Sequence, residues 1–366
     1  PDWFQEDVIP ERFGGEVYRD PGDLWSGVVL AGFGILYNQD SLQRLGIRTS
    51  PSQWSDLARP EFLGQLGLAD PSKSGSVAKA FELIIQQQIA LAQRALKAKG
   101  HPDLEQKALE QGWQEGFRLI QRLAANARYF TDSASKIALE VSRGDAAAGM
   151  AIDTYGRTTQ EFVRDQSGNS RIGFVVPMEG SSLSADPIAM LRGAPHPDLA
   201  TGFIEFVMSS KGQALWGLRP GSPGGPAHWA LRRLPIRMDF YRNTDPLERS
   251  DPLDDPYRDT AGFEYHPEWT AALFPVIRFL IRNVFVEAHP ELQSAYAALR
   301  AASMPGAAVA VFDDLDAIGL KVARDEILPV IKSRDRLTEV RLSRRLLETA
   351  RDRYRRVIAM SQGREE

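Results

Sequence analysis

The chain has 366 residues, enough for two domains, and carries 44 Lys and Arg against 48 Asp and Glu, a net charge of −4. This near-balance gives no electrostatic reason to expect nucleic acid or an anionic membrane as a partner. Because the chain has no cysteine, disulfides, thiolate metal sites and cysteine nucleophiles are excluded. The sequence contains no run of about 18 apolar residues, so we expect no membrane-spanning helix. The first residues are neither basic nor apolar, so we expect no signal peptide within this sequence.

The first two thirds of the chain alternate strand patterns with helix patterns. Residues 1–27 predict loops and turns, and the apolar run 28–37 predicts one strand. The pattern then continues with a short apolar stretch at 64–69, helices near 76–98, 103–125 and 134–143, a strand at 146–152, a helix at 154–164 and a strand at 172–176. Such alternation predicts an α/β fold with largely parallel sheets.

From about residue 197 onward the predicted elements are helices. Helices are predicted near 197–208 and 210–218, before a loop rich in Gly and Pro at 219–226. Beyond about residue 265 all patterns are helical, at 268–284, 289–301, 312–333 and 336–361. The sequence therefore predicts a helical C-terminal region that follows an α/β part.

The segment Asp70-Pro-Ser-Lys-Ser-Gly-Ser76 lies between a predicted strand and a predicted helix. The first amides of a helix lack helical partners and carry partial positive charge, so this position suits an anion. Ser74 and Ser76 add hydroxyl donors, Lys73 could add charge, and Gly75 lets a ligand approach the backbone. The same residues also suit an ordinary helix N-cap, so both interpretations stay open on spacing alone.

Several segments together resemble one family, the bilobal extracellular solute-binding proteins of bacterial ABC importers. The branch that they resemble includes ferric-iron, phosphonate and thiamine binders. The similarity covers about residues 20 to 240 and depends on the order of these segments: Trp25-Ser-Gly-Val-Val with Ile35-Leu-Tyr-Asn38, Trp54-Ser-Asp-Leu57, Asp70–Ser76, Gly144–Tyr155 and Pro177-Met-Glu-Gly180.

The resemblance implies a two-lobed α/β fold of the periplasmic-binding-protein type II class, with hinge strands between the lobes. We expect residues 1–34 and 175–265 in lobe 1, residues 35–174 in lobe 2, and residues 266–366 as a helical extension packed on lobe 1. Family members have a βαβ half of lobe 1 before the Trp25-like segment. We therefore expect lobe 1 to be partial and to lack one ligand-binding loop.

In the family that the chain resembles, the ligand lies between the lobes. By this analogy Ser74, Gly75 and Ser76 bind an anionic or hydroxyl-bearing group from lobe 2. Asp153, Thr154 and Tyr155 follow a predicted buried strand and face the cleft, although Asp153 or Thr154 could instead cap the next helix. Trp25 and Ser26 lie at the first crossing, where Trp25 either stacks on the ligand or packs in the hinge.

The resemblance implies a solute-binding component of an ABC importer. It captures a small anionic ligand (a phosphonate, phosphate ester or carboxylate) by hinge closure and delivers it to the permease transmembrane subunits. The expected location is the periplasm, or a lipid-anchored extracytoplasmic position. We expect a monomer that uses no cofactor, binds no nucleic acid and catalyses no reaction.

Three alternatives remain. Ferric-iron members use two adjacent tyrosines, whereas this chain offers Tyr155 alone as a tyrosine metal ligand at that position. A second alternative is a sensor or interaction module that uses the helical tail. An enzyme is the third, but the five histidines are scattered, and neither a Gly-x-Ser-x-Gly motif nor a nucleotide-binding fingerprint is present.

Overall fold

The computed structural model describes residues 3–100, 103–164, 168–251, 255–259 and 262–364. The strands are β1 Arg12–Phe13, β2 Glu16–Val17, β3 Ser26–Ala31, β4 Phe33–Asn38, β5 Leu66–Ala69, β6 Ala127–Thr131, β7 Ala148–Ile152, β8 Ile172–Val175, β9 Ser184–Ile188 and β10 Leu234–Pro235.

The helices of the α/β part are α1 Gln39–Arg44, α2 Gly75–Ala98, α3 Leu104–Asn126, α4 Ala134–Arg143, α5 Asp153–Phe162, α6 Pro197–Met208, α7 Ser210–Gly217, α8 Met238–Asn243 and α9 Pro256–Asp259. The helices of the C-terminal part are α10 Pro267–Thr270, α11 Phe274–Ile281, α12 His289–Ala301, α13 Gly306–Phe312, α14 Leu320–Val322, α15 Leu328–Ser333 and α16 Arg336–Ser361, with π-helical turns at Arg282–Val286 and Ala323–Ile327.

The strands form two main sheets and one small hairpin. The larger sheet has the order β6-β5-β7-β4-β8, the smaller has the order β10-β3-β9, and β1 pairs with β2. In the larger sheet β5 runs parallel to β6 and β7, but β4 is antiparallel to β7 and β8. Both pairings of the smaller sheet are antiparallel. The prediction of largely parallel sheets is therefore wrong.

The cause is the path of the chain between the two sheets. The predicted single strand at 28–37 is two strands, because the chain leaves the smaller sheet after Ala31 and enters the larger sheet at Phe33. It returns between β8 and β9, at residues 176–183. Helices connect β5, β6 and β7, and such crossovers make these strands parallel. β4 instead enters the sheet directly from the other lobe, and it runs antiparallel to its neighbours β7 and β8. Two crossings at these positions make the chain two-lobed.

Each sheet has its own hydrophobic core, which is the physical sign of two units. The smaller sheet packs in a cluster that includes Ile9, Tyr18, Leu30, Met208 and Ile236. The larger sheet belongs to one extensive cluster that also contains the buried side chains of α2, α3 and the C-terminal helices. The predicted α/β fold with a helical C-terminal region is confirmed.

The long helices α2 and α3 pack very closely against each other. A Cβ atom at Gly112 would lie 2.3 Å from the Ile89 Cα, and one at Gly116 would lie 2.8 Å from the Ile85 Cα. Glycine at these two positions, one turn apart on α3, lets the helix backbones touch. Both helices pack against the larger sheet, α2 on β4 and β7 and α3 on β5.

The C-terminal helices pack on the lobe that carries the larger sheet, lobe 2, and not on lobe 1 as the sequence predicted. The Trp113 indole donates to the Ile318 carbonyl at 2.9 Å, and Arg122 forms two hydrogen bonds of 2.8 Å with Asp313. The His289 ring lies 3.1 Å from the Ala124 and Ala127 carbonyls. These contacts reach α3 and the start of β6 because α2 and α3 are apolar on more than one side.

One stretch, Pro267–Val286, is long and apolar enough to cross a membrane by length and composition. Its residues Val276, Ile277, Leu280, Val284 and Phe285 are buried in the core of lobe 2. Its composition is therefore explained by packing within the protein.

Candidate functional site

The Asp70–Ser76 turn is held by its own side chains. The Asp70 carboxylate accepts the Ser72 amide at 2.8 Å, and its carbonyl accepts the amides of Lys73 and Ser74, each at 3.0 Å. The Ser74 hydroxyl oxygen accepts the Val77 amide and is the N-cap of α2. Beside Gly75 the space is open, since an added Cβ would meet nothing within 4 Å. The turn thus combines an ordinary cap with accessible first-turn backbone.

An arginine from the C-terminal helices clamps the same turn. Arg278 on α11 donates through Nε to the Pro71 carbonyl at 2.8 Å and through Nη2 to the Ser72 carbonyl at 2.9 Å. The turn is therefore fixed by a residue more than two hundred positions away in the chain. Sequence reasoning missed Arg278, because a basic residue on an apolar helix gives no sign of its partner.

One turn further along α2, Lys79 is the charged side chain on the same face as Ser76. Its Nζ lies 3.1 Å from Glu16 Oε1 and 3.0 Å from Glu82 Oε2, and 3.5 Å from the centre of the Tyr265 ring. Glu16 belongs to the β1–β2 hairpin, so this ion pair joins the N-terminal hairpin to lobe 2. Sequence reasoning missed Lys79, although a Lys and a Glu spaced by three in an apolar helix is a usable signal.

The returning crossing completes this region. The Ser182 hydroxyl donates to Glu16 Oε1 at 2.5 Å, and the Phe33 amide donates to the Ser181 hydroxyl at 3.1 Å. The Trp54 indole donates to the Gly180 carbonyl at 2.7 Å. We call the place where these contacts meet the lobe junction, formed by Glu16, Gly32, Lys79, Asp153 and residues 180–183.

Asp153 lies at the lobe junction but is inaccessible. It is the first residue of α5, its amide donates to the Gly32 carbonyl at 2.9 Å, and its carboxylate accepts the Thr154 amide at 2.7 Å. Burial raises the pKa of Asp153, and Arg157, whose guanidinium lies 3.6 Å away, acts in the opposite direction. The residue is only 2% exposed, so its position is that of a structural carboxylate rather than of a ligand contact.

Thr154 and Tyr155 follow Asp153 on α5. The Thr154 hydroxyl lies within hydrogen-bonding distance of the Leu231 carbonyl, at 3.4 Å, and the Tyr155 side chain is 41% exposed. Within the described part of the chain, no group of three or more His, Asp or Glu side chains is arranged to hold a metal ion. The structure thus gives Tyr155 no carboxylate cluster with which to share a ferric ion.

Trp25 and Ser26 lie apart from the other predicted site residues. Ser26 begins β3, whereas Gly32, which contacts Asp153, follows the end of that strand. Six residues of extended chain separate the two ends by roughly 20 Å. Ser26 is buried, and its hydroxyl donates to the Gly27 carbonyl. The structure therefore does not bring Trp25 and Ser26 together with Asp153 at the lobe junction.

Lys73 faces a different part of the surface. It lines an open cleft of about 470 Å³ at the carboxyl ends of β5 and β6, which Arg282 of the C-terminal helices closes on one side. Lys136 and Asp132 in this cleft pair with each other at 2.7 Å. Lys73, in the turn before α2, thus lines this cleft, whereas Lys79 on α2 lies at the lobe junction.

Comparison with known proteins shows the family. Residues 5–232 match the family model described as bacterial extracellular solute-binding protein. The chain is 24% identical over 188 residues to the phosphoglycerate transport regulatory protein PgtC of Salmonella typhimurium, a match that covers 51% of this chain and 39% of PgtC. It is 26% identical over 178 residues to a putrescine/cadaverine-binding protein of Pseudomonas aeruginosa, with 48% of this chain and 44% of that protein covered.

Among solved structures, the periplasmic binding protein AfuA of Actinobacillus pleuropneumoniae, with fructose-6-phosphate bound, is similar at 24% identity and a TM-score of 0.44. The match covers 57% of this chain and 56% of AfuA. The chain spans about half or less of the length of the curated relatives that it matches. Because the family model covers more than half of this chain, the protein belongs to the family of bacterial extracellular solute-binding proteins.

Proposed function

We propose that this protein is the solute-binding component of an ABC importer and that it binds a small anionic solute at the lobe junction. The observation that carries the proposal is the first two turns of α2. There the open backbone at Gly75, the Ser76 hydroxyl and the Lys79 ammonium lie in sequence, within a chain of the solute-binding family. The protein has no catalytic role in this proposal.

The chemistry of these groups favours an oxyanion. The first-turn amides of a helix of 24 residues lack carbonyl partners and carry partial positive charge. Lys79 adds a full positive charge, and hydrogen bonds to a charged oxygen are about twice as strong as those between neutral groups. A carboxylate, phosphate ester or phosphonate that reaches these groups from lobe 1 would stabilise the arrangement with the lobes closed.

The names of the two relatives point to opposite charges, since one concerns phosphoglycerate and the other putrescine and cadaverine. An amine would need an accessible carboxylate at the junction. Asp153 is buried and Glu82 is enclosed by Tyr265 and Thr270, while Glu16 already pairs with Lys79. Since each of these carboxylates is buried or already has a partner, none is placed to receive an amine, whereas the backbone at Gly75 is open to an anion.

The proposed function also implies where the protein acts and which protein it contacts. A solute-binding component of this kind acts in the periplasm or anchored outside the cytoplasmic membrane, and it delivers its solute to the transmembrane subunits of a permease. The binding step can be tested without the permease.

The test is isothermal titration calorimetry with inorganic phosphate, glycerol 3-phosphate, succinate, methylphosphonate, putrescine and ferric citrate. The proposal expects binding of at least one anion and none of putrescine. Ser76→Ala should weaken anion binding about tenfold, the worth of one hydrogen bond to a charged group. Ser135→Ala is the matched control, because Ser135 holds the same second position of α4 as Ser76 holds in α2. Binding of putrescine alone, or of none of these compounds, would contradict the proposal.

A further inference from the structure

A lysine enclosed by two carboxylates marks the lobe junction. The side chains of Lys79, Glu16 and Glu82 are 16%, 12% and 2% exposed, so all three charges are largely withdrawn from water. Two carboxylates around one ammonium leave an excess of negative charge in a place where charge is costly. The two carboxylates, however, are held in different ways.

Glu82 is the permanent partner of Lys79. Both residues belong to α2, and the hydroxyls of Tyr265 and Thr270 donate to Glu82 Oε1 at 2.9 Å and 2.7 Å. Gln86 in turn donates to the Thr270 hydroxyl at 2.7 Å. Glu82 therefore has a complete set of partners without Glu16.

Glu16 comes from outside α2. It is the first residue of β2, in a hairpin that packs against the core of the smaller sheet through Phe13, and its carboxylate contacts the Ser182 hydroxyl and the Lys79 ammonium. A close backbone approach holds the hairpin in place: Gly15, with φ +81, lies so near Tyr265 that an added Cβ would be 1.8 Å from the Tyr265 carbonyl oxygen. The chain thus delivers a carboxylate to the junction and inserts it between a hydroxyl and an ammonium.

We propose that Lys79 is the charged anchor of the solute site and that the Glu16 carboxylate occupies this anchor as an intramolecular competitor. This inference rests on the proposed function. A hydroxyl and an ammonium on two elements are the donors that a carboxylate or phosphate solute would use, and Glu16 already engages both of them. A solute anion replaces Glu16 and restores the same charge balance with Lys79 and Glu82. Glu16 then turns to water.

Competition by Glu16 should lower the affinity of the protein for an oxyanion, and this effect can be measured. A solute that must displace Glu16 binds with an affinity reduced by the fraction of molecules in which Lys79 is free. Glu16→Gln keeps the size of the side chain and an acceptor for Ser182 but removes the charge. Oxyanion binding should then become about tenfold tighter or more, since the ammonium loses its competitor. Lys79→Met should remove oxyanion binding.

The experiment is calorimetry of the full chain with inorganic phosphate and succinate. It compares the wild type with Glu16→Gln, Lys79→Met, the double variant Glu16→Gln/Lys79→Met and the control Glu6→Gln. Glu6 lies in the same N-terminal segment and pairs with Arg19 at 3.5 Å, away from Lys79. The double variant leaves Glu82 without either charged neighbour. Thermal unfolding of each variant identifies any that does not fold.

Tighter binding by Glu16→Gln, together with loss of binding in both folded Lys79 variants and unchanged binding by Glu6→Gln, is the expected result. Equal affinity of the wild type and Glu16→Gln would overturn the inference and leave the proposed function standing. Retained binding by a folded Lys79→Met would overturn it as well. If neither the wild type nor Glu16→Gln binds either anion, the inference fails together with its premise.

Discussion

Replacement of Phe285 by alanine tests whether the C-terminal helices are part of lobe 2. The Phe285 side chain is fully buried in the π-helical turn after α11, with its ring centre 6.3 Å from that of Phe117 on α3. A buried Phe→Ala change costs about 3–5 kcal/mol. In a unit of roughly 200 residues, each kcal/mol lowers the Tm by about 2–4 °C. The expected loss is therefore about 6–20 °C.

The assay that separates the two possibilities is hydrogen exchange followed by mass spectrometry. If lobe 2 and the C-terminal helices unfold together, peptides from β5 and from α12 should lose protection by the same free energy in Phe285→Ala. Phe162→Ala is the matched control, because that ring is 89% exposed and its removal should change stability by less than about 0.5 kcal/mol. Loss of protection in α12 alone, with β5 unchanged, would refute the single shared core.

Three further predictions concern stability. Gly112→Ala should lower the unfolding free energy in urea titrations by about 1–3 kcal/mol or more, because its Cβ would meet the Ile89 backbone; a neutral result would contradict the close packing of α2 and α3. Burial raises the pKa of Asp153, so its contribution is complete below its usual pKa of 3.8 and is lost as pH rises through the raised value. The stability of Asp153→Asn relative to the wild type should therefore rise over that interval, and parallel pH profiles would contradict this. Burial lowers the pKa of His289, so its contribution is present above pH 6.5 and is lost as pH falls through the lowered value. Unfolding titrations should show that His289→Gln lacks this acid-dependent loss, and an unchanged profile would count against it.

Local features of the site could be predicted from the sequence. The strand, turn and helix around Asp70–Ser76 follow from neighbouring residues, since Ser74 caps α2 and Asp70 binds the amides of its own turn. The prediction of helices near 76–98 and 103–125 is confirmed by α2 and α3, whose bounds differ by one residue. Short-range chemistry of this kind acts within a few residues, so a sequence contains it directly.

The contacts that join distant elements could not be predicted. Arg278 and Pro71 are separated by 207 positions, and Ser182 and Glu16 by 166. No spacing rule links such residues, because their proximity depends on the packing of whole helices and sheets. The C-terminal helices were expected on lobe 1 for the same reason. The signal that the sequence does contain is the spread of apolar residues over more than one face of the predicted helix. In the structure α2 buries twelve side chains, including Glu82 and Gln86, and is covered on two sides.

The β1–β2 hairpin links the two lobes. Phe13 of β1 packs in the core of the smaller sheet, and Tyr18, which directly follows β2, is fully buried in the same core. Glu16, in contrast, forms its ion pair with Lys79 on α2 of lobe 2. If the lobes separate while the hairpin stays with lobe 1, the ion pair between Glu16 and Lys79 must break, whereas the hydrogen bond from Ser182 to Glu16 can persist because Ser182 leads into β9 of the same lobe. Glu16 and a solute anion are therefore expected to compete for Lys79 as the lobes close.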